Sequence, residues 1–456
     1  MAQDIDASGS ADKPTLAPPG GMRVFVQVLV NTAVANITTS FLWFALTFWA
    51  YLETKSVLAT GLIGGAYMLL IALFGMLFGT LVDRHRKHRV MVLSGFVTLV
   101  AFLIAGALFV ALGEPALVDL GGPWFWVFSM IILLGAVVEN LRNIALSTTV
   151  TLLVPVERHA NANGLVGTVQ GMAFMVTSIF SGLAIGLLGM GWTLIIALVL
   201  TAAALVHLLF IRIPESVPAT TEKMPLIDFH GSIGAVRAVG GLFALILFST
   251  LNNLIGGVYM ALMDPYGLTL FPVEWWGVIL GITATGFIVG GALIAKFGLG
   301  RNPIRTMLLF VIVMGALGSL FTIREWWWLY ALGIWVYMCI IPVVEASEQT
   351  VIQKVVPYET QGRVFGFAQA FEASAAPITA FLIAPLAQFW IIPYMNSDAG
   401  QETWGWLLGV GDARGIALVF LVSGLVMIVL ALLAFTTRAY RTLSAEYETG
   451  EPAPVE

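Results

Sequence analysis

The chain has one cysteine in 456 residues, Cys339, and it lies inside a hydrophobic run. Neither a disulfide framework nor a Cys-based metal site can be built from it, and redox chemistry drops out. Charge is scarce too: Asp, Glu, Lys and Arg make up 10% of the residues, and the basic ones are scattered over many short segments. Nucleic-acid binding needs a basic stripe or patch, so that partner is excluded. The five histidines, His85, His88, His159, His207 and His230, form no H-E-x-x-H spacing, and no G-x-S-x-G occurs. A catalytic constellation buried among helices is therefore not expected, nor is a metal or organic cofactor. The N-terminus lacks the basic and apolar regions of a signal peptide. It carries instead Asp4, Asp6, Asp12, Pro14, Pro18, Pro19 and Gly20, the composition of a disordered tail.

Hydrophobic residues are abundant, at 59%, with 47 glycines and a mean hydropathy of +0.94. Those values describe a polytopic all-α membrane protein embedded in a lipid bilayer. A hydrocarbon core of about 30 Å needs roughly 20 apolar residues per helix. Runs of that length, bounded by charge, Pro or Gly, predict twelve spans between residues 24 and 436. They divide into an N-terminal six-helix bundle (residues 23–213), a linker (214–239) and a second six-helix bundle (240–437). Tails of residues 1–22 and 438–456 flank them. With both termini cytoplasmic, all Lys and Arg except Lys55, Arg142, Arg324 and Arg414 fall on cytoplasmic segments, as the positive-inside bias requires. Twelve of the 14 tryptophans map to the opposite, outer edge, where indole prefers the interface; only Trp43 and Trp335 sit deeper. The predicted location is a cell (inner) membrane, as a monomer.

The chain resembles itself at an offset. Asn36, Gly61, Gly65, Gly75, Arg89 and Met91 recur 216 residues later as Asn252, Gly277, Gly281, Gly291, Arg305 and Met307. In later spans the offset becomes 202: Val154, Pro155, Glu157 and Gly164 fall on Val356, Pro357, Glu359 and Gly366. A direct repeat of six spans gives two bundles related by an axis along the membrane normal.

Between spans 2 and 3, GTLVDRHRKHRVM (Gly79 to Met91) holds seven consecutive charged or titratable residues. Gly79, Asp83, Arg84, Lys87 and His88 match the form G-x-x-x-D-R-x-G-R-[RK], which resembles the signature of the major facilitator superfamily at the same place in a 6+6 chain. VPVERHANANG (Val154 to Gly164), Ile213 to Glu215 and VPYETQGRVFG (Val356 to Gly366) look like the macrolide-efflux-like branch of drug:proton antiporters. The resemblance implies a secondary transporter working by alternating access, with gating residues Gly79, Asp83, Arg84, Lys87 and Arg89. It also implies that Asp83 meets the start of span 11 near Gly362 to Gly366, where helix N-terminal amides favour an anion. Two departures stand out: Arg86 replaces the second glycine of the pattern, and span 5 reads Ser178-Ile179-Phe180-Ser181-Gly182 without the proline such antiporters often carry.

Ionisable residues inside spans cost at least about 2.5 to 3.5 kcal/mol unless paired or hydrated, so they mark function by default. Span 4 carries Glu139, Arg142, Asn143 and Ser147, and span 10 carries Glu345, Glu348, Gln349 and Gln353, at the same spacing along one helix face each. Glu372 lies in span 11. A rise of about 1.5 Å per residue puts Glu345 and Glu372 at similar depth, as potential neighbours able to exchange a coupling proton. Glu139 and Arg142 form either a neutralising i, i+3 pair or part of that pathway. Asn36, Thr39 and Trp43 in span 1, Asn143, Asn252, Asn253, Tyr259 and Gln349 are the candidate cavity residues. Neutral polar groups with aromatics suit a small amphiphilic, drug-like solute. Export of a siderophore, lipid or metabolite, and proton-coupled uptake, remain alternatives.

Overall fold

The computed structural model describes residues 16–54, 57–215, 229–271, 273–411 and 413–449. Most of the N-terminal tail, Lys55, linker residues 216–228 and the last seven residues lie outside them. Among the described residues the chain is helical, without strands, and twelve long helices form the body. They are α1 (Gly21–Thr54), α2 (Val57–Arg84), α3 (Lys87–Leu112), α4 (Pro123–Leu153), α5 (159–188) and α6 (190–210). The second set is α7 (Leu242–Leu270), α8 (Val273–Phe297), α9 (Pro303–Leu320), α10 (Trp327–Val355), α11 (Gln361–Leu386) and α12 (Arg414–Thr436).

Backbone helix content follows from the solvent, because a chain in hydrocarbon must satisfy its own amides. Among the described residues, ten stretches are long and apolar enough to cross a membrane. The first turns of α5 and the first half of α11 are more polar, carrying Asn161, Asn163, Gln170, Arg363, Gln369 and Glu372. No charge or proline separates α5 from α6; helical hydrogen bonding runs from His159 to Phe210, broken only at Gly189 (φ +77°, ψ 176°). That left-handed backbone needs glycine and reverses the chain. The reversal is visible on α1: Phe41 O accepts from Ser181 on α5, and Ala204 O on α6 accepts from Asn31.

Helices α1–α6 form one bundle and α7–α12 the other, and they meet chiefly where α2 packs on α11 and α5 on α8. The repeat explains how. A Cβ on Gly75 or Gly79 would strike the backbone of α11 at Gly366 and Gly362. One on Gly164 would strike Ile294 and Ala295 of α8, and one on Gly291 would strike Gly164 and Thr168 of α5. These are the positions that the two sequence offsets relate, so one close-packed glycine contact is used twice. Gly64 and Gly182 lie eleven residues, three helical turns, beyond Gly75 and Gly171 and hence on the same faces, yet a Cβ there meets nothing within 4 Å. The bundles touch near the face that bears the termini and part toward the opposite one.

Elsewhere the structure adds short helices. Residues Phe229–Ala238 enter the second bundle, and Asp398–Leu408 lies between α11 and α12. Part of the C-terminal tail forms a helix, Arg438–Thr449, whose Leu443 and Glu446 are buried and whose Tyr447 ring lies under Lys354 Nζ at 4.1 Å. Two tryptophans of the expected belt are buried instead, because each finds an acceptor: Trp49 Nε1 donates to Glu114 (2.7 Å) and Trp276 Nε1 to Asp264 (2.9 Å). Trp124, Trp126, Trp192, Trp275, Trp326, Trp327, Trp328, Trp390 and Trp406 are exposed along one edge.

Candidate functional site

The charged loop between α2 and α3 reaches the other bundle through one carboxylate. Asp83 ends α2 buried, and its Oδ1 accepts from the Gly362 amide (2.6 Å) while Oδ2 accepts from the Arg363 amide (2.8 Å) and Arg363 Nε (3.2 Å). Two first-turn amides of α11 have no intrahelical acceptor, and the carboxylate supplies one. Gly79, one turn earlier, is the glycine that lets α2 approach closely enough. Lys87 is also buried. Its Nζ donates to Val82 O (2.9 Å) and sits 4.8 Å from the centre of the Tyr358 ring. Its backbone amide donates to both oxygens of Glu215 (2.9 and 2.7 Å), and Tyr358 donates its hydroxyl proton to the same carboxylate (3.3 Å). Burial, and then the Glu215 charge, push the Tyr358 phenol well above its usual range, so it stays a donor. Glu215 therefore caps α3 and touches the second bundle at once, a role that the motif did not reveal. Arg84 is half-buried beside Asp83, whereas Arg89, grouped with the gate by sequence, stands exposed on the outer side of α3.

A second set of contacts closes the same face with neutral amides. Asn163 Nδ2, near the start of α5, donates to Thr350 Oγ1 (2.9 Å) and Gln353 Oε1 (2.8 Å) on α10. Gln353 Nε2 returns bonds to Ser147 O (3.0 Å) and Asn163 Oδ1 (3.2 Å), and Asn161 Nδ2 donates to Ala295 O (2.8 Å) on α8. At the repeat position of Asp83 the second bundle has Leu299, buried against Ile294, Val343 and Ala346. The ionic contact is thus one-sided, and amides serve the other side. These residues lay in plain view inside VPVERHANANG and the polar face of span 10; only their partners were missing.

Beyond this seal lies a cavity of about 230 Å³, lined by residues of α1, α2, α4 and α5 that include Asn36, Thr39, Phe44, Tyr67, Asn140, Asn143, Gln170 and Phe174. Asn36 Nδ2 donates to Asn143 Oδ1 (2.9 Å), and Trp43 stacks on Tyr67 with ring centres 4.9 Å apart. The Trp43 indole N–H is buried without a partner. Gln369 of α11 bridges to this wall, donating to Asn140 Oδ1 (3.2 Å). One turn further along α11 is Glu372.

Glu348 and Glu372 are near neighbours in the second bundle, with Ser249 beside Glu348, and Asn253 Nδ2 lies 3.5 Å from Glu372 Oε2. Glu345, three residues before Glu348 on α10, neighbours both acids. The groups acting on this trio are the acids themselves, Ser249 and Asn253, none of them basic. Glu345 keeps an exposed surface, and Gln349, Asn252 and Asn253 are half-buried.

The other membrane ion pair is built differently. Glu139 and Arg142 are both buried, 2.5 Å apart, with Ser94 donating to Glu139 (3.1 Å) and Arg142 Nη1 to Asn31 (2.6 Å). This set ties α1, α3, α4 and α6 together. Tyr259 also departs from expectation: its hydroxyl donates to Phe420 O (3.1 Å), and its ring packs among Phe321, Tyr337 and Phe420 in the core of the second bundle.

Two pseudo-symmetric six-helix bundles sealed at one face, with a polar cavity and membrane-buried acids behind the seal, are the architecture of a membrane transporter. The chain belongs to the Major Facilitator Superfamily, whose profile matches residues 28–380. It is 23% identical over 380 residues to macrolide efflux protein A of Streptococcus pyogenes, covering 80% of this chain and 89% of that protein. It is 22% identical over 336 residues to the Enterococcus faecalis protein of the same name, covering 71% and 98%. Among solved structures it resembles a bacterial homologue of the iron transporter ferroportin in an outward-facing state (TM-score 0.65, 16% identity, 91% of this chain and 100% of that one). It also resembles the human organic anion transporter MFSD10 (TETRAN; TM-score 0.67, 14% identity, 91% and 100%). At such identities the structural likeness speaks for the fold. The protein is a membrane-embedded transporter of small molecules and not an enzyme.

Proposed function

We propose that this transporter exports amphiphilic, drug-like molecules in exchange for protons, by alternating access, from a cell membrane in which both termini are cytoplasmic. The observation that carries the reading is the Glu348–Glu372 carboxyl pair, two neighbouring acids among membrane helices, one turn from a side chain that touches the cavity wall. Proton arrival from outside neutralises the pair; release to the cytoplasm leaves an anionic site that attracts a cationic or amine-bearing solute. The cavity suits such a solute's body, because Phe44, Tyr67 and Phe174 offer apolar faces while Asn36, Thr39, Asn143 and Gln170 offer neutral hydrogen bonds. In this reading the sealed face is the cytoplasmic one, held shut by Asp83 and by the Asn163–Gln353 amides, and the transporter stands open outward. Names of the efflux relatives support export, and the positive-inside distribution supports the orientation.

The test is growth inhibition across a chemically diverse panel that includes macrolides, with and without expression of the protein and of Asp83→Asn. Export predicts raised tolerance to amphiphilic amines that Asp83→Asn diminishes. Unchanged tolerance across the panel at verified expression contradicts it.

A further inference from the structure

Arg89 belongs to the α2–α3 cluster but stands exposed on α3, away from the gate. It stands at the mouth of a groove of about 380 Å³ between α3 and α6, whose remaining walls are Val92, Leu93, Phe96, Leu205 and Leu209. We propose that this groove is a lipid site: one acyl chain of an anionic glycerophospholipid lies along it, and Arg89 binds the phosphate. The lining other than Arg89 is wholly hydrocarbon, and Leu93, Phe96 and Leu209 are exposed, so the groove is continuous with the bilayer-facing surface of two spans. Along α3 the walls run from residue 89 to residue 96, about 10 Å of helix, the length of several methylenes below a headgroup. Arg89 sits in the first turn of α3, at the end where the chain leaves the membrane. The exposed Arg212 follows α6 by two residues, so a second cation stands at the same end of the groove. A guanidinium offers a planar fork of donors that matches phosphate oxygens, which a choline-bearing zwitterion partly neutralises and a glycerol headgroup does not. Charge complementarity and continuity with the lipid surface thus select one occupant.

Arg305 provides the matched control. It holds the repeat position of Arg89 on α9, is also exposed, and removes the same charge when replaced. The experiment is native mass spectrometry of the purified full-length protein incubated with equimolar phosphatidylglycerol and phosphatidylcholine of identical chains. Wild type is expected to retain phosphatidylglycerol preferentially. Arg89→Gln lowers the ratio of the two adducts about fivefold, the weight of one basic residue beside an anionic lipid. Arg305→Gln leaves the ratio as it was, and Leu209→Trp, which fills the groove and keeps both arginines, lowers the phosphatidylglycerol adduct. An unchanged ratio in Arg89→Gln, an equal fall in Arg305→Gln, or full retention in Leu209→Trp overturns the proposal.

Discussion

Replacing Asp83 with Asn exchanges one carboxylate oxygen for an NH₂ and tests the gate. The carboxylate accepts three hydrogen bonds from α11: the Gly362 amide at 2.6 Å, the Arg363 amide at 2.8 Å and Arg363 Nε at 3.2 Å. Asn retains one acceptor oxygen, and its NH₂ faces the remaining donors, so one set of bonds survives and the other becomes a donor–donor conflict. Hydrogen bonds to a charged group contribute about 1.5 to 3 kcal/mol each, and the loss is partly offset because Asn is cheaper to bury than a carboxylate. A net cost of about 3 kcal/mol to the closed gate follows, roughly a 150-fold shift in the two-state equilibrium. A gate closed 100 to 1 in the wild type then becomes about evenly populated. Nitroxides at Arg158→Cys and Arg301→Cys, in a Cys339→Ser background, report this by pulsed electron spin resonance, since both sites are exposed on opposite sides of the α5–α8 contact. The wild type should give one short distance, and Asp83→Asn a second, longer one. Identical distributions would refute the claim that this carboxylate holds the bundles together.

Three further outcomes follow from the geometry. Gln353→Leu removes the bonds to Ser147 and Asn163 and leaves Asn163 half-satisfied; it should open the gate by about 2 kcal/mol, and a double-mutant cycle with Asp83→Asn should be close to additive, as the two latches share no partner. Glu139→Gln strands a buried Arg142, so a loss of about 3 to 5 kcal/mol is expected, read as a fall of the thermal unfolding midpoint in detergent with bound solute absent. A Gly366→Val exchange presses a side chain into the Gly75 carbonyl and Gly79, and should separate α2 from α11 in the same distance measurement even with Asp83 intact.

The fold was legible because its determinants are local in sequence. Span length, loop charge and tryptophan position are each set by the bilayer, and the repeated glycines mark where helices approach. The turn between α5 and α6 was legible only as a gap between runs, since Gly189 and not charge makes it. Sites were read less completely. Asp83 announced itself, and its acceptor geometry could be anticipated because any helix start offers free amides. Glu215, Tyr358 and Gln353 act through partners 128 to 206 residues away, and no periodicity carries that information. Arg89 and Tyr259 show the converse: a residue type suited to a site faces lipid or core once the helix rotation is fixed, and rotation is decided by packing.

The central claim is that Glu348 and Glu372 carry the proton that drives export. Inside-out vesicles containing the protein, acidified within and carrying a pH-sensitive dye, measure it directly on addition of a transported amine. The account predicts proton efflux in proportion to solute uptake for the wild type, and solute exchange without proton movement for Glu372→Gln and Glu348→Gln. Wild-type proton-to-solute ratios in both variants would contradict it.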